Sequence, residues 1–261
     1  MTNSLRFDHI IIAVRDLDAA IANYAALGFA VYYGGKHTHK ATHNGLISLA
    51  DGTYLELLAP VEPNDIDGTI ASLAAGEGYG GYALLSPDLP ADAQRLEGAG
   101  MGFVGPSDGH RDRYDGERVV WQALNLEGTR TPFLITDVTP HILRVSDDAD
   151  KINHANGATG TAALVVAVHD LAVATARYAT ILGMQPSGQA QNREEQSVTF
   201  ELDGHTITLA QPVVHGTPLA EHLERFGEMP YLLQLRTAKT ELAGLLDLGM
   251  SHGARLELIA G

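Results

Sequence analysis

The chain has no cysteine among its 261 residues. Disulfides, thiolate metal sites and cysteine nucleophiles are therefore excluded. Basic residues are scarce: 17 lysines and arginines stand against 32 acidic residues, for a formal net charge of -15. Nucleic acid requires a basic footprint, and no basic run exists, so no nucleic-acid partner is expected. An anionic membrane surface would repel the chain for the same reason. No apolar run approaches the ~20 residues of a membrane span. Residues 1–8 lack the charged and apolar regions of a signal peptide, and a soluble, cytoplasmic chain is expected. A hydrophobic share of 45% and a charged share of 19% argue against intrinsic disorder. The length suits one large or two ordinary domains.

What is present is repetition. Ile10-Ile11-Ile12-Ala13-Val14-Arg15-Asp16-Leu17 returns as Leu164-Val165-Val166-Ala167-Val168-His169-Asp170-Leu171. Each is an apolar run ending in the same Asp-Leu step. Tyr24 and Leu27-Gly28-Phe29 return as Tyr178 and Leu182-Gly183-Met184, with one residue inserted. A second pair, Tyr82 with Ala99-Gly100-Met101, returns as Tyr231 with Leu248-Gly249-Met250. The chain thus holds two copies of a ~150-residue unit, each made of two smaller modules, and the fourth module stops early. Residues 7–14 are rich in β-branched side chains and read as a buried strand. Asp16 caps a helix whose apolar stripe is Leu17, Ala20, Ile21, Tyr24 and Leu27, with Gly28 as its stop. Residues 29–33 read as a strand. Residues 45–49 and 53–59 read as a hairpin around Asp51-Gly52. The second module reads as strand 81–86, helix 91–99, and strands 103–104, 118–126 and 132–137. In the third, strands 162–168, 197–202 and 206–210 accompany a helix over 171–182. The glycine-dense stretch 76–81 has no following Lys-Ser or Lys-Thr, so it is no phosphate loop; it reads as a hinge. The domain reading is an N-terminal half over 1–138, a polar linker over 139–160 and a C-terminal half over 161–261.

Tandem βαβββ modules resemble the vicinal oxygen chelate superfamily, which includes glyoxalase I, extradiol dioxygenases, methylmalonyl-CoA epimerase and bleomycin resistance proteins. Asp8-His9-Ile10-Ile11-Ile12-Ala13-Val14-Arg15-Asp16-Leu17 resembles the usual first strand and helix start. Thr42-His43-Asn44, Tyr54-Leu55-Glu56-Leu57, Arg113-Tyr114-Asp115-Gly116 with Trp121, Pro132-Phe133-Leu134-Ile135 and Ala155-Asn156-Gly157-Ala158-Thr159-Gly160 resemble a narrower, glyoxalase-like branch. The resemblance implies an α+β fold of curved mixed sheets in two paired-module halves. It also implies a metal held by residues on the first and last strands of each module.

Here His9 and Glu56 occupy those positions in the first module. The third module has Ala163 and Thr208 there, and the second has Tyr82 and Ile135 or Thr136. His43 is the candidate third ligand, giving a 2-His-1-carboxylate set of His9, His43 and Glu56 for iron, manganese, nickel or zinc. The competing reading is a His9–Glu56 ion pair lining a metal-free pocket, because a buried Glu requires a partner. His37 and His39 read as a polar lid or a solvated loop. Arg111, Arg113 and Arg118 cluster around Tyr114, Trp121 and Gln122. Arg111 reads as a surface residue paired with nearby acids. Arg113, Arg118, Trp121 and Gln122, with Tyr54 and Asn44, are candidate substrate contacts. Trp121 and Gln122 face opposite sides of a strand, so one of them lines a cavity.

Three functions follow. The first is a metal-dependent lyase, isomerase or dioxygenase acting on a small oxygenated molecule, with Glu56 and His9 catalytic. The second is a metal-free small-molecule binding protein using the same cavity. The third is a scaffold whose modules serve a homodimer. A third ligand meeting His9 and Glu56 discriminates the first from the second. Either way, chemistry is expected in the N-terminal half.

Overall fold

The computed structural model describes residues 4–37, 41–62, 68–113, 115–128 and 132–261. The N-terminal elements are β1 (Arg6–Ala13), α1 (Leu17–Ala26), β2 (Tyr32–His37), β3 (Thr42–Ser48) and β4 (Tyr54–Pro60). They are followed by β5 (Gly78–Leu85), α2 (Leu89–Gly98), β6 (Phe103–Asp112), β7 (Arg118–Leu126) and β8 (Phe133–Asp137). Short helices α3 (His141–Arg144) and α4 (Ala149–Ile152) lead to β9 (Ala158–Ala167), α5 (Leu171–Leu182), β10 (Gly188–Gln191), β11 (Glu195–Leu202) and β12 (His205–Pro212). The chain ends with α6 (Pro218–Phe226), β13 (Pro230–Thr237), β14 (Gly244–Leu245) and β15 (Leu256–Ala260).

Local chemistry sets these boundaries. Asp16 accepts a bond from the Ala19 amide at 3.0 Å and starts α1; Asp170 does the same for α5 through Val173. Each cap satisfies a donor that the first helical turn would otherwise leave unpaired. Gly183, in the left-handed region at φ 66°, ends α5, a conformation that a Cβ would disfavour. The β3–β4 hairpin turns at Asp51-Gly52, where Asp51 Oδ1 accepts from the Thr53 amide at 3.0 Å.

Strands β1 to β8 close into a barrel in the order β1-β4-β3-β2-β6-β7-β8-β5. Its two modules mirror each other: β1 pairs parallel with β4, β5 pairs parallel with β8, and β1 and β5 meet antiparallel. Strands β9 to β15 form an open sheet in the order β10-β11-β12-β9-β13-β15-β14. There the Asp-Leu repeat is exact in register, since Ile11 lies opposite Glu56 and Val165 opposite Thr208. The last module builds only a 3-10 turn, Thr240–Leu242, and a two-residue strand where the second module has a ten-residue helix and a ten-residue strand.

One apolar core runs through both halves, from Ile10 and Ile12 to Leu164, Phe200 and Leu258. Buried tyrosines stitch it: the Tyr82 hydroxyl donates to the Tyr178 hydroxyl at 2.9 Å, and Tyr24 donates to the Ser251 carbonyl at 3.0 Å. The 76–81 stretch is not a hinge. From Gly78 it is the start of β5, hydrogen-bonded along β1, and its glycines let Gly80 sit against Ile11, where a Cβ would lie 3.0 Å from a methyl carbon.

Candidate functional site

The barrel interior holds a cavity of about 400 Å³. Strand alternation puts His9 and Ile11 of β1 and Tyr54, Glu56 and Leu58 of β4 on the inner face. His9 Nδ1 donates to Asp8 Oδ2 at 2.6 Å, and its Nε2 lies 3.6 Å from Glu56 Oε2. The Tyr54 ring stacks on the imidazole with centroids 4.5 Å apart, and Phe133 meets it edge-on. The ring is thus held by two aromatic neighbours and at one nitrogen, leaving Nε2 toward Glu56 and the cavity.

Glu56 is buried. Its Oε1 accepts from Asn44 Nδ2 at 2.6 Å and lies 3.8 Å from His37 Nε2. Burial alone would raise its pKa, but His9, His37, the Asn44 bond and Arg111 outweigh that and hold the carboxyl below its ordinary range. Asp8 is held further down. Burial opposes its charge, yet the bidentate Arg144, with bonds of 2.7 and 2.8 Å, and His9 keep it ionised. Arg144 also donates to Asp137 Oδ1 at 2.6 Å and to the Tyr54 hydroxyl at 3.0 Å. This ion network is buried, and each charge in it depends on the others, because an isolated ion in such a place is strongly disfavoured.

Arg111 enters from β6. It donates to Asn44 Oδ1 at 3.3 Å and to the Arg144 carbonyl at 2.7 Å, so Asn44 links it to Glu56. Trp121 of β7 forms a wall and meets the His37 ring edge-on, with Gly109 behind it. A Cβ at Gly109 would fall 2.3 Å from the indole nitrogen. Ile11, Leu58, Phe133 and Ile135 line the apolar side.

Among the expected site residues, His9, Asn44, Tyr54, Glu56 and Trp121 line this cavity. Four others do not. His43 faces the other side of β3 from Asn44, its ring against Tyr33. Gln122 faces away from Trp121 and donates to Asp108 at 3.0 Å. Arg118 is exposed and paired with Asp112 at 2.7 Å. Arg113 pairs with Asp115 and with the Leu143 carbonyl. His39 and Tyr114 lie outside the described residues. His43 therefore does not join His9 and Glu56, and among the described residues no three His, Asp or Glu side chains are grouped to hold a metal ion. Glu56 Oε1 and His9 Nδ1 are also already committed, to Asn44 and Asp8. The donor set does not fit the metal implied by the resemblance.

Three members of the site lie outside the set of site residues read from the sequence. Arg111 is 4% exposed, not a surface residue. His37 packs at the site, its Nδ1 2.8 Å from Thr42 Oγ1. Arg144, from the expected linker, supplies the counter-charge to Asp8. No local signal marks either arginine. The one available hint is Asp8 itself, a carboxylate inside the apolar first strand that requires a cation from elsewhere.

A family model described as a glyoxalase-like domain matches residues 7–182. No curated protein matches the chain. Among solved structures, a hypothetical protein from Staphylococcus aureus is 16% identical with a TM-score of 0.76, over 98% of this chain and 100% of that one. A mutant of 4-hydroxymandelate synthase from Streptomyces coelicolor is 12% identical with a TM-score of 0.65, over 94% and 77%. At these identities the likeness is one of fold. No helix among the described residues is long and apolar enough to cross a membrane. With the mirrored βαβββ modules and the match over most of its length, the chain belongs to the glyoxalase-like domain family of the vicinal oxygen chelate fold.

Proposed function

We propose that the N-terminal barrel binds a small oxygenated molecule and moves a proton on it, as a lyase or isomerase does. The observation that carries this is the line Asp8–His9–Glu56 along the cavity wall. Asp8, locked as an anion, orients the imidazole, so that in its neutral form the Nε2 lone pair faces the cavity. A proton on a ligand carbon or hydroxyl placed against Nε2 passes to His9, and the imidazolium formed lies between Asp8 and Glu56. Glu56, whose lowered pKa makes it a poor base and a good hydrogen-bond acceptor, positions the ligand. Asn44 and Arg111 offer donors to the oxygen on which negative charge develops. No step is assigned to a metal.

The test is proton exchange. A panel of small carbonyl and hydroxyl compounds is incubated with the protein in D2O, and loss of C–H signals is followed by NMR. Exchange on one compound class is expected, falling about 10²–10⁴-fold in His9→Ala. Wild-type exchange that survives in this variant removes His9 as the base. Elemental analysis of the chain, purified without chelator, is the second readout. One equivalent of iron, manganese, nickel or zinc, lost in His9→Ala and Glu56→Ala, would overturn the metal-free reading.

A second reading, capture without turnover, is favoured by the depressed Glu56. A carboxylate so held accepts hydrogen bonds well and protons poorly. Its signature is a ligand that raises the melting temperature and shows no exchange.

A further inference from the structure

Among the described residues, four buried side-chain polar atoms have no hydrogen-bond partner, and two of them, Arg111 Nε and Ser72 Oγ, belong to residues lining the barrel cavity. Buried polar groups in folded proteins are overwhelmingly paired, so an orphan on a cavity wall requires an explanation. The two buried arginines of the site differ sharply. Arg144 is saturated by Asp8, Asp137 and Tyr54. Arg111 has five N–H bonds to give and gives two, one of them at 3.3 Å, both to uncharged oxygens. No carboxylate of the described residues lies within ion-pair distance of it. Glu56 is reached only through Asn44. Burial disfavours its charge and outweighs the favourable fields of Tyr54 and Glu56, neither of which hydrogen-bonds to it.

We infer that the ligand is a small carboxylate with an apolar or aromatic body, and that Arg111 sets this specificity. The carboxylate completes the guanidinium, whose planar fork matches two oxygens. The body lies against Trp121 and the side made by Ile11, Leu58 and Phe133. In this orientation the carbon next to the acid group faces His9 and Glu56. The inference rests on the reading of this cavity as the functional site, and it names the class of molecule that enters.

Trp121 is the single tryptophan of the chain, so its fluorescence reports on the cavity alone. The full-length protein is titrated with 3-phenylpropionate and with 3-phenylpropionamide, which differ in charge and barely in shape. The acid is expected to bind about tenfold or more tightly than the amide. Arg111→Met abolishes that preference, and Arg111→Lys retains part of it. Circular dichroism and melting confirm that each variant is folded; if the Met variant is not, the Lys variant alone must show a reduced preference. Equal affinity for acid and amide in the wild type, no binding of the acid, or a preference unchanged in a folded variant overturns the inference. The outcome is separable from that of the proton-exchange reading. Acid preference without exchange leaves the carboxylate site standing and removes the chemistry. Exchange on neutral carbonyl compounds without acid preference does the reverse.

Discussion

The barrel and the open sheet are built on one plan and end differently. β1 and β9 carry the same Asp-Leu motif, pair parallel with β4 and β12 in the same register, and lie antiparallel to β5 and β13. In the first half, β2 and β6 then meet and close the ring. In the second, β10 and β14 remain apart at the two edges. What occupies the equivalent positions differs accordingly. His9 and Glu56 line a cavity, whereas Ala163 and Thr208 lie on a sheet whose inner face is partly covered by α6, through Leu219 and Leu223. Closure creates an interior in which charged side chains such as Asp8, Glu56, Arg111 and Arg144 are buried. The open half lacks that interior, and the face that carries Ala163, Val165 and Thr208 also carries Gln234 and Glu257.

Variants can break this contrast, the largest effect first. Arg144→Met leaves Asp8 buried without its counter-charge and is expected to cost about 3–5 kcal/mol of stability, measured by urea unfolding. A loss below about 1 kcal/mol would mean that the barrel interior is wet. The next effect separates the halves by pH. His222 of α6 is pushed down to about 4 by burial, with Arg255 and Arg225 adding to it. Its contribution is complete above the ordinary 6.5 and is lost as pH falls from 6.5 toward 4, because the unfolded chain then binds the proton and the folded one does not. Glu56, held below its ordinary 4.5, keeps its contribution down to that pH and loses it only on further acidification. Hydrogen exchange at α6 is therefore expected to accelerate between pH 6.5 and 4, by up to about 3 kcal/mol of opening free energy. His222→Phe removes that step and leaves the response of the barrel strands, to which the lowered His43 and His154 contribute in the same direction, unchanged. A variant whose α6 profile matches the wild type would sink the assignment.

Gly109→Ala sharpens the barrel side. Its Cβ displaces the indole, and a loss of about 1–3 kcal/mol with a shifted Trp121 emission is expected. Thr208→Val is the smallest change. It removes only the 3.0 Å hydroxyl contact with Thr199, and a change of stability within about 1 kcal/mol is expected by thermal melting. A larger change would show that the open face is more tightly organised than its exposure implies.

The fold was legible where the sequence is periodic or punctuated. α5 and β7 fall where the apolar spacing puts them, and the Asp51-Gly52 turn sits where expected. The sequence pattern gives β6 only residues 103–104, whereas the strand runs from Phe103 to Asp112, because Gly105, Pro106 and Gly109 disguise a strand in which a bulge and the indole of Trp121 call for small residues. His9 and Glu56 were readable by strand parity. The arginines were not, since a buried Arg and an exposed one look alike in sequence. The partner that decides between them, Asp8 for Arg144, lies more than half the chain away. Parity on β3 gives the inner face to Asn44, which leaves His43, the expected third ligand, on the other side against Tyr33.

The position of Arg144 also bears on how the protein is made. Asp8 leaves the ribosome with the first barrel strand, and the arginine that neutralises it follows only after all eight. A nascent chain at the end of β8 thus has every strand it needs and an uncompensated carboxylate in its first one. The counter-charge arrives only with α3. A fragment cut at residue 138, where the apolar pattern ends, would be a ring without its keystone, while one cut after α4 would carry the whole ion network. The segment between the two halves belongs, in the order of synthesis, to the first.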